Sequence, residues 1–576
     1  MDKKTLPIII VLVLIVVFYW PILEFLGLTE KKPKEAATQT TTEQVDTSQV
    51  KPESLPATQA PTQAESTKPV VPAETPEQLA FDTAKIDTVV IVTDNYTATM
   101  TTYGGGPISL FLNNYTYRDG EPIQMLPNAK GATPEAIFAG GTFSTSKVLF
   151  TCDTRPGTYE ARKDTLSVQY TYSNGTGGEI VRRFIFYPDK YNYDLVVEVK
   201  DPAALGFERK YSLVWETPIG VAEPNPKTDY DAMEAVAMLG GSREKLADFK
   251  DGKLNQSLTG TTTWAGVRNK YFANVMIPRD RTADGAFAEG TELKVELPEG
   301  SAKEKKITVG MDMPFASVAE VKDSFTVFVG PLDYMLMAKY NVGLQDMLDI
   351  GTTPIVGWII KPFAIGIMWL LPKMYAVIPN YGFVIIIFAF LVKVVTLPLS
   401  MKSFRSMQAM KDIQPKIEEL KAKYKKDPQA MNKEMMALYK EHGVNPMSGC
   451  LPMIPQMPLF FALFSVFRST ILLRDAPFIW FINDLSRGAT SFTDPYIALV
   501  VLMIVAQFLS QKVTMGAQQQ QKAFQYVMPL FMGFIFYKFA AGLVLYWTCF
   551  SIFSLLDYVL FKRKKAAQQI LPKTVG

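Results

Sequence analysis

Two hydrophobic rhythms divide the chain. From about residue 81 to 330, short β-branched and aromatic runs alternate with polar residues and break at glycine turns. Examples are DTVVIVTDNYTATMTTYGGGPISLFL, TLSVQYTYSNGTGGEIVRRFIFYP, YNYDLVVEVKD, KITVGMDMPFASV and DSFTVFVGP. Period-two runs joined at Asn-Gly and Gly-Gly predict paired strands, and this many of them predict a large β-sandwich. From residue 353 the apolar runs become continuous, covering 353–373, 381–400, 450–467, 495–511, 524–539 and 543–561. Only Ala540, Ala541 and Gly542 separate the last two, which predicts a tight membrane hairpin. A further uncharged stretch, Leu6–Leu23, follows MDKK and is nearly long enough to span a bilayer core. No small-residue cleavage site follows it, so it predicts an uncleaved anchor. Residues 29–80 hold no aromatic residue and are rich in Thr, Pro, Gln, Ala and Glu. That composition predicts a disordered tether.

Charge orients these elements. Ten Lys/Arg stand against six Asp/Glu between 401 and 449, and the last apolar run is followed by KRKK from Lys562. Both segments are expected in the cytoplasm by the positive-inside rule. The four runs at 450–467, 495–511, 524–539 and 543–561 then cross between them. With the β domain outside, 381–400 alone brings the chain in, and a second crossing by 353–373 would invert the basic loop. The latter carries Lys361, Pro362 and Pro372 and is read as an amphipathic helix on the outer surface. With the anchor, six spans result and both termini are cytoplasmic. Within the basic loop, KSFRSMQAMKDIQPKIEELKAKYKKD and PQAMNKEMMALYKEHG predict two helices joined at about Asp427–Pro428. Their methionines predict packing between the two helices, or a soft surface for varied apolar clients.

Composition removes several chemistries. The formal net charge is +3, too small to favour nucleic acid. Cys152, Cys450 and Cys549 are too far apart for a disulfide framework or zinc spacing. The chain has one histidine, His442, which excludes His-based catalysis in the β domain. No GxxxxGK[ST] loop is present, so no nucleotide and no cofactor is expected.

One residue breaks the membrane pattern. Residues 384–399 read VIIIFAFLVKVVTLPL, apolar except for Lys393 and Thr396. A lysine at the centre of a spanning helix costs about 2.5–3.5 kcal/mol. Each apolar neighbour returns only about 0.3–0.6 kcal/mol. Charges in spans face the bundle interior or a water-filled cavity, so Lys393 is a functional candidate. Its bland alternatives are snorkelling to the cytoplasmic headgroups or pairing with Asp557. Gln456, Gln507, Ser510, Thr548 and Ser551 are the other polar candidates within spans, each equally able to make helix–helix hydrogen bonds.

The segment MMALYKEHGVNPMSGCLPMIPQMPLFFALF, with IQPKI at 413–417, NPMSGC at 445–450 and GLVLYW at 542–547, resembles the YidC family of membrane protein insertases. The layout of anchor, β domain, surface helix, charged membrane helix and cytoplasmic hairpin is also similar. The resemblance implies the Gram-negative form: a multidomain membrane protein of the bacterial inner membrane, with an α-helical transmembrane bundle and a periplasmic β-supersandwich similar to sugar mutarotases. It implies the following organisation: anchor 1–28, linker 29–80, β domain 81–330, interfacial helices 331–380, a core of five transmembrane helices with its hairpin at 401–449 over 381–565, and tail 566–576. Residues 29–380 would be periplasmic. The implied activity is non-enzymatic insertion and folding of nascent membrane proteins through a hydrophilic groove open to cytoplasm and lipid. The implied partners are nascent chains, the Sec translocon, the lipid bilayer and, as a candidate, the ribosome. The family usually places an arginine at the position of Lys393. Lysine keeps that charge and loses the bidentate geometry. Ala389 stands where some relatives carry a hydroxyl. An aromatic pair of the last helix is retained as Tyr546 and Trp547, which would line the client's path. A membrane transporter and a membrane-anchored carbohydrate-binding protein are the alternatives, although no internal repeat supports a transporter.

Overall fold

The structure is a computed structural model that describes residues 86–570 except 118–119, 128, 130, 208, 217–218, 298–299, 316–319, 349, 351–356, 426, 446–452 and 515–521. The expected anchor and tether lie outside the described residues, as does Cys450.

The alternating segments form strands where expected. A five-stranded sheet contains Thr88–Val92, Tyr96–Thr101, Gly106–Thr116, Pro122–Gln124 and Gly157–Glu160. A 14-stranded sheet holds the rest, including the long antiparallel strands Lys253–Arg268, Ala283–Leu297, Gly300–Pro314 and Glu320–Pro331. Inward residues of both sheets, among them Ile91, Leu110, Phe184, Tyr193, Leu213 and Val309, share one core. This makes a sandwich. Within Asn192–Lys200, buried positions alternate with partly exposed ones, which is the period that identified it. The hairpin between Leu166–Ser173 and Glu179–Phe186 closes on Asn174, whose Oδ1 accepts from the N–H of Thr176 (2.9 Å) and Gly178 (3.0 Å). The fully buried Arg182 donates through its terminal nitrogens to main-chain carbonyls, to Gly104 O at 2.6 Å and to Pro134 O.

Ten α-helices are described: α1 Pro226–Ala232, α2 Tyr334–Ala338, α3 Gly357–Val377, α4 Tyr381–Asp412, α5 Gln414–Lys423, α6 Pro428–Glu441, α7 Met453–Ser469, α8 Ile497–Thr514, α9 Lys522–Phe536 and α10 Ala541–Ile570. The polar runs after residue 401 differ from the expected pair of helices. α4 continues through Asp412, well beyond the apolar run, and α5 begins anew at Gln414, with Pro415 in its first turn. The second junction falls where the sequence placed it. Asp427 caps α6, accepting from Gln429 N (3.1 Å) and Ala430 N (3.0 Å). Met410 and Met435 pack against Ile413, Ile417, Leu438 and Val444, whereas Met436 is exposed. His442 has a structural place at the end of α6, with Nδ1 3.0 Å from Leu438 O and Nε2 2.9 Å from Lys416 Nζ.

Among the described residues, three helices are long and apolar enough to cross a membrane: α3, α4 and the Ala541–Val559 part of α10. Ile497–Lys512 and Tyr526–Phe536 are shorter apolar helices. α3 buries Ile360, Ala364, Ile367 and Leu371 along one stripe. Its other face exposes Trp358, Phe363 and Trp369, so its two faces differ less than an amphipathic helix requires.

The segment between α7 and α8 laces one end of the bundle. Gly542 N donates to Leu485 O (2.9 Å), Ala541 N to Arg487 O (2.7 Å) and Ala489 N to Tyr537 O (2.8 Å). These bonds hold the turn between α9 and α10. Gly488 is required there, because a Cβ would collide with the Lys538 carbonyl. Asp494 fixes the start of α8 by accepting from Thr490 N (3.0 Å) and, through its other oxygen, from Tyr496 N (3.0 Å). Burial pushes the Asp494 carboxyl up, but these N–H groups and the Arg487 guanidinium outweigh it and hold its pKa at about 2. The stabilisation is therefore present above the ordinary carboxylate pKa of about 3.9 and is lost as pH falls through the folded value.

The same segment meets the β domain through Arg474. Its side chain is nearly buried and donates to Glu223 Oε1 (3.1 Å), Thr116 O (3.0 Å) and Ala222 O (3.1 Å). Ile471, a few residues earlier, joins the sandwich core. We expect Arg474→Ala to weaken this junction by about 3–5 kcal/mol, because Glu223 would stay buried without its closest cation. Limited proteolysis of the full chain should then release the β domain faster. Unchanged cleavage would contradict the assignment.

Candidate functional site

α4 turns a stripe of small and apolar residues inward, with Ile385 and Ala389 buried at four-residue spacing, and Lys393 is the next position along it. The helical period therefore carries the charge into the bundle. Among the described residues, its ammonium is met by α10: Asp557 Oδ2 lies 3.1 Å away, Ser554 Oγ 2.9 Å and the Phe550 ring centroid 4.7 Å. Phe550, Ser554 and Asp557 are spaced i, i+4, i+7 and so share one face of α10. The Lys393 and Asp557 side chains are 7% and 12% exposed, which makes this a buried ion pair. Ser554 Oγ in turn donates to Phe550 O at 2.8 Å, leaving its lone pairs for the lysine.

The structure thus selects one of the bland alternatives for Lys393, pairing with Asp557, and adds two partners that the sequence reading missed. The usable signal was the spacing of 550, 554 and 557, which is visible only once α10 is known to lie along α4.

The remaining candidates are distributed around α10. Thr548 is buried and returns its hydroxyl to Val544 O (2.7 Å), and Ser551 is buried one turn above Ser554. Gln507 on α8 is buried with its Oε1 unpartnered, while Ser510 is partly buried on the same helix. Gln456 is partly buried on α7. Tyr546 and Trp547 diverge. Tyr546 faces Phe388 of α4 (6.1 Å between centroids), and Trp547 meets Phe460 of α7 (5.2 Å) and Phe536 of α9 (5.8 Å). Adjacent residues on a helix point about 100° apart, so this pair does not form one continuous lining. The Tyr546 hydroxyl and the Trp547 indole N–H are both buried without a partner, like Gln507 Oε1. Buried polar atoms in proteins are normally bonded to protein or to water. Three such atoms lie within this bundle, amid an otherwise apolar core.

The bundle's outside is the reverse. Val394 and Val395 on α4, Val501 and Val505 on α8, and Phe534 on α9 are exposed. Apolar surface outward with a buried charge pair inward inverts the arrangement of a water-soluble bundle and marks lipid contact. The fold and site therefore define a membrane protein, in which a helical bundle with a buried ion pair in its largely apolar interior is joined to a β-sandwich. Relatives narrow this class. A family described as "60Kd inner membrane protein" matches residues 373–568, and one described as "YidC periplasmic domain" matches 88–365. A protein named membrane protein insertase YidC from Chlorobium luteolum is 33% identical, covering 99% of this chain and 97% of its own. Another of that name from Chlorobaculum tepidum is 35% identical, covering 81% and 80%. A solved YidC insertase is similar at 20% identity and a TM-score of 0.34, over 81% of this chain and 91% of its own. The chain belongs to the YidC family of membrane protein insertases.

The ion pair makes a direct prediction. Lys393→Met alone leaves Asp557 buried without its cation and should destabilise the bundle by about 3–5 kcal/mol. Lys393→Met combined with Asp557→Leu should recover most of that loss, because apolar replacement of a buried pair is commonly neutral or stabilising. Thermal unfolding in detergent measures both. Additive losses in the double variant would show that the two residues are not coupled.

Proposed function

We propose that this protein inserts membrane proteins into the inner membrane, using the polar interior around α10 as a path for the client's hydrophilic tail. The observation that carries this reading is the buried, partly unpartnered polar set inside a bundle whose exterior is apolar. A polar tail entering such an interior keeps hydrogen-bond partners that hydrocarbon would deny it. The client's apolar segment moves into lipid, and its burial supplies the driving force at about 25 cal/mol per Å². This scheme uses no nucleotide and no covalent step, and it gives the protein a chaperone-like rather than an enzymatic role. It is supported by family membership and by the absence of a phosphate-binding loop from the sequence.

The finer topology belongs to this proposal. Six spans place both termini in the cytoplasm, the β domain in the periplasm and α3 at the outer surface. The positive-inside balance supports this, as do the exposed Trp358 and Trp480, since aromatic side chains favour the headgroup level. The laced α7–α8 segment would then close the outer end. The β domain docks on that segment through Arg474, a placement suited to meeting partners such as the Sec translocon from the periplasmic side. Nascent membrane proteins are the clients, and a ribosome would deliver them at the basic hairpin 401–449.

The test is insertion of a radiolabelled single-span client into proteoliposomes containing the full chain, or a variant lacking most of 88–331. Both should insert the client, and protein-free vesicles should not. Failure of the full chain would overturn the reading. Loss of insertion only in the truncated protein, while it stays membrane-bound, would contradict an accessory role for the β domain.

A further inference from the structure

Lys393 is the one charge in the apolar run of α4, and at rest it is not available to a client. The carboxylate of Asp557 already stands against its ammonium, on the side where α10 lines the interior. Ser554 takes a second N–H direction and the Phe550 ring covers a further face. An acidic client residue can therefore reach Lys393 only by exchange with Asp557.

We infer that Asp557 is an internal stand-in for the client's carboxylate, a positioning residue that acts through Lys393 to set how strongly acidic tails are favoured. The inference rests on the insertase reading. Its physical content is a difference of affinities. With a bare lysine, the whole ion-pair energy would favour an aspartate-bearing tail over its asparagine counterpart. With Asp557 in place, one carboxylate replaces another at the same ammonium, and the net gain shrinks toward zero.

The exchange also has a kinetic consequence. A lysine this nearly buried, without its counter-charge, would hold an acidic tail and delay its release. When Asp557 returns to Lys393, the departing carboxylate is displaced without leaving a buried cation behind. The site is thus polar enough to hydrate and orient a tail, and nearly neutral overall. The same arrangement explains how a lysine serves where bidentate clamping is lacking. Exchange needs a point charge that can turn between partners on a flexible stem, and an ammonium on four methylenes supplies it.

The experiment compares two clients that differ only in the translocated tail, one with two aspartates and one with two asparagines, in proteoliposomes containing the full chain. The unaltered protein should insert them at rates within about twofold of each other. Asp557→Asn, which keeps the side chain's shape and removes its charge, should raise the aspartate-to-asparagine ratio by about fivefold or more and slow release of the aspartate client. A purely structural role for Asp557 would lower both rates together and leave the ratio unchanged, and that result would overturn the inference. The exchanged pair, Lys393→Asp with Asp557→Lys, keeps the buried pair intact should the single variant fail to accumulate. Replacing Asp557→Lys with Asp557→Asn in that background should then favour a lysine-bearing tail, and indifference to tail charge would again overturn the inference. If the unaltered protein inserts neither client, it is the insertase reading that fails.

Discussion

A cation buried in an apolar helix must find a counter-charge, and the arrangement of the membrane half follows from that requirement. Lys393 lies on the inward stripe of α4, so α10 has to present a carboxylate at the matching height. Doing so fixes the register of the two helices. Phe550, Ser554 and Asp557 then face α4, and the helical period sends Trp547 toward α7 and α9. α8 packs along α10 and turns Gln507 inward. A few polar side chains are thereby buried around α10 within an apolar core, while the outer faces of α4, α8 and α9 are also apolar.

At the other end the bundle is held by main-chain bonds rather than by charge. The segment between α7 and α8 pairs with the turn between α9 and α10, and the glycine at 488 permits the close approach. Arg474 then carries this segment into the β-sandwich through one carboxylate and two carbonyls. The sandwich is therefore not simply tethered to the bundle; it rests on the element that closes it. Motion of one would strain the other through a nearly buried guanidinium.

Much of this was legible beforehand, for identifiable reasons. Strands such as Asn192–Lys200 announced themselves because one face is buried and the other is not. The α6 cap at Asp427 was legible because capping is local chemistry. Family membership was legible in contiguous motifs between 413 and 547. What sequence could not supply was tertiary. The partners of Lys393 lie more than 150 residues away, and their spacing has meaning only beside α4. Nothing local in the sequence marks Glu223 as the partner of Arg474. Tyr546 and Trp547 read as a pair because they are adjacent, yet helix geometry sends them to different neighbours. The length of α4 was also hidden, because Pro398, at the end of the apolar run, reads as a helix breaker although the helix continues through it.

The central claim is that the polar interior receives the client's hydrophilic tail while the apolar exterior does not. It is tested most directly by photo-crosslinking from two positions on α8. Gln507 faces inward, and its Oε1 has no hydrogen bond to lose. Val505, two residues earlier, is 47% exposed on the opposite face. With a stalled nascent client whose tail carries the label, the account predicts strong tail crosslinks from position 507 and background from 505. Equal labelling at both positions, or labelling from 505 alone, would contradict it.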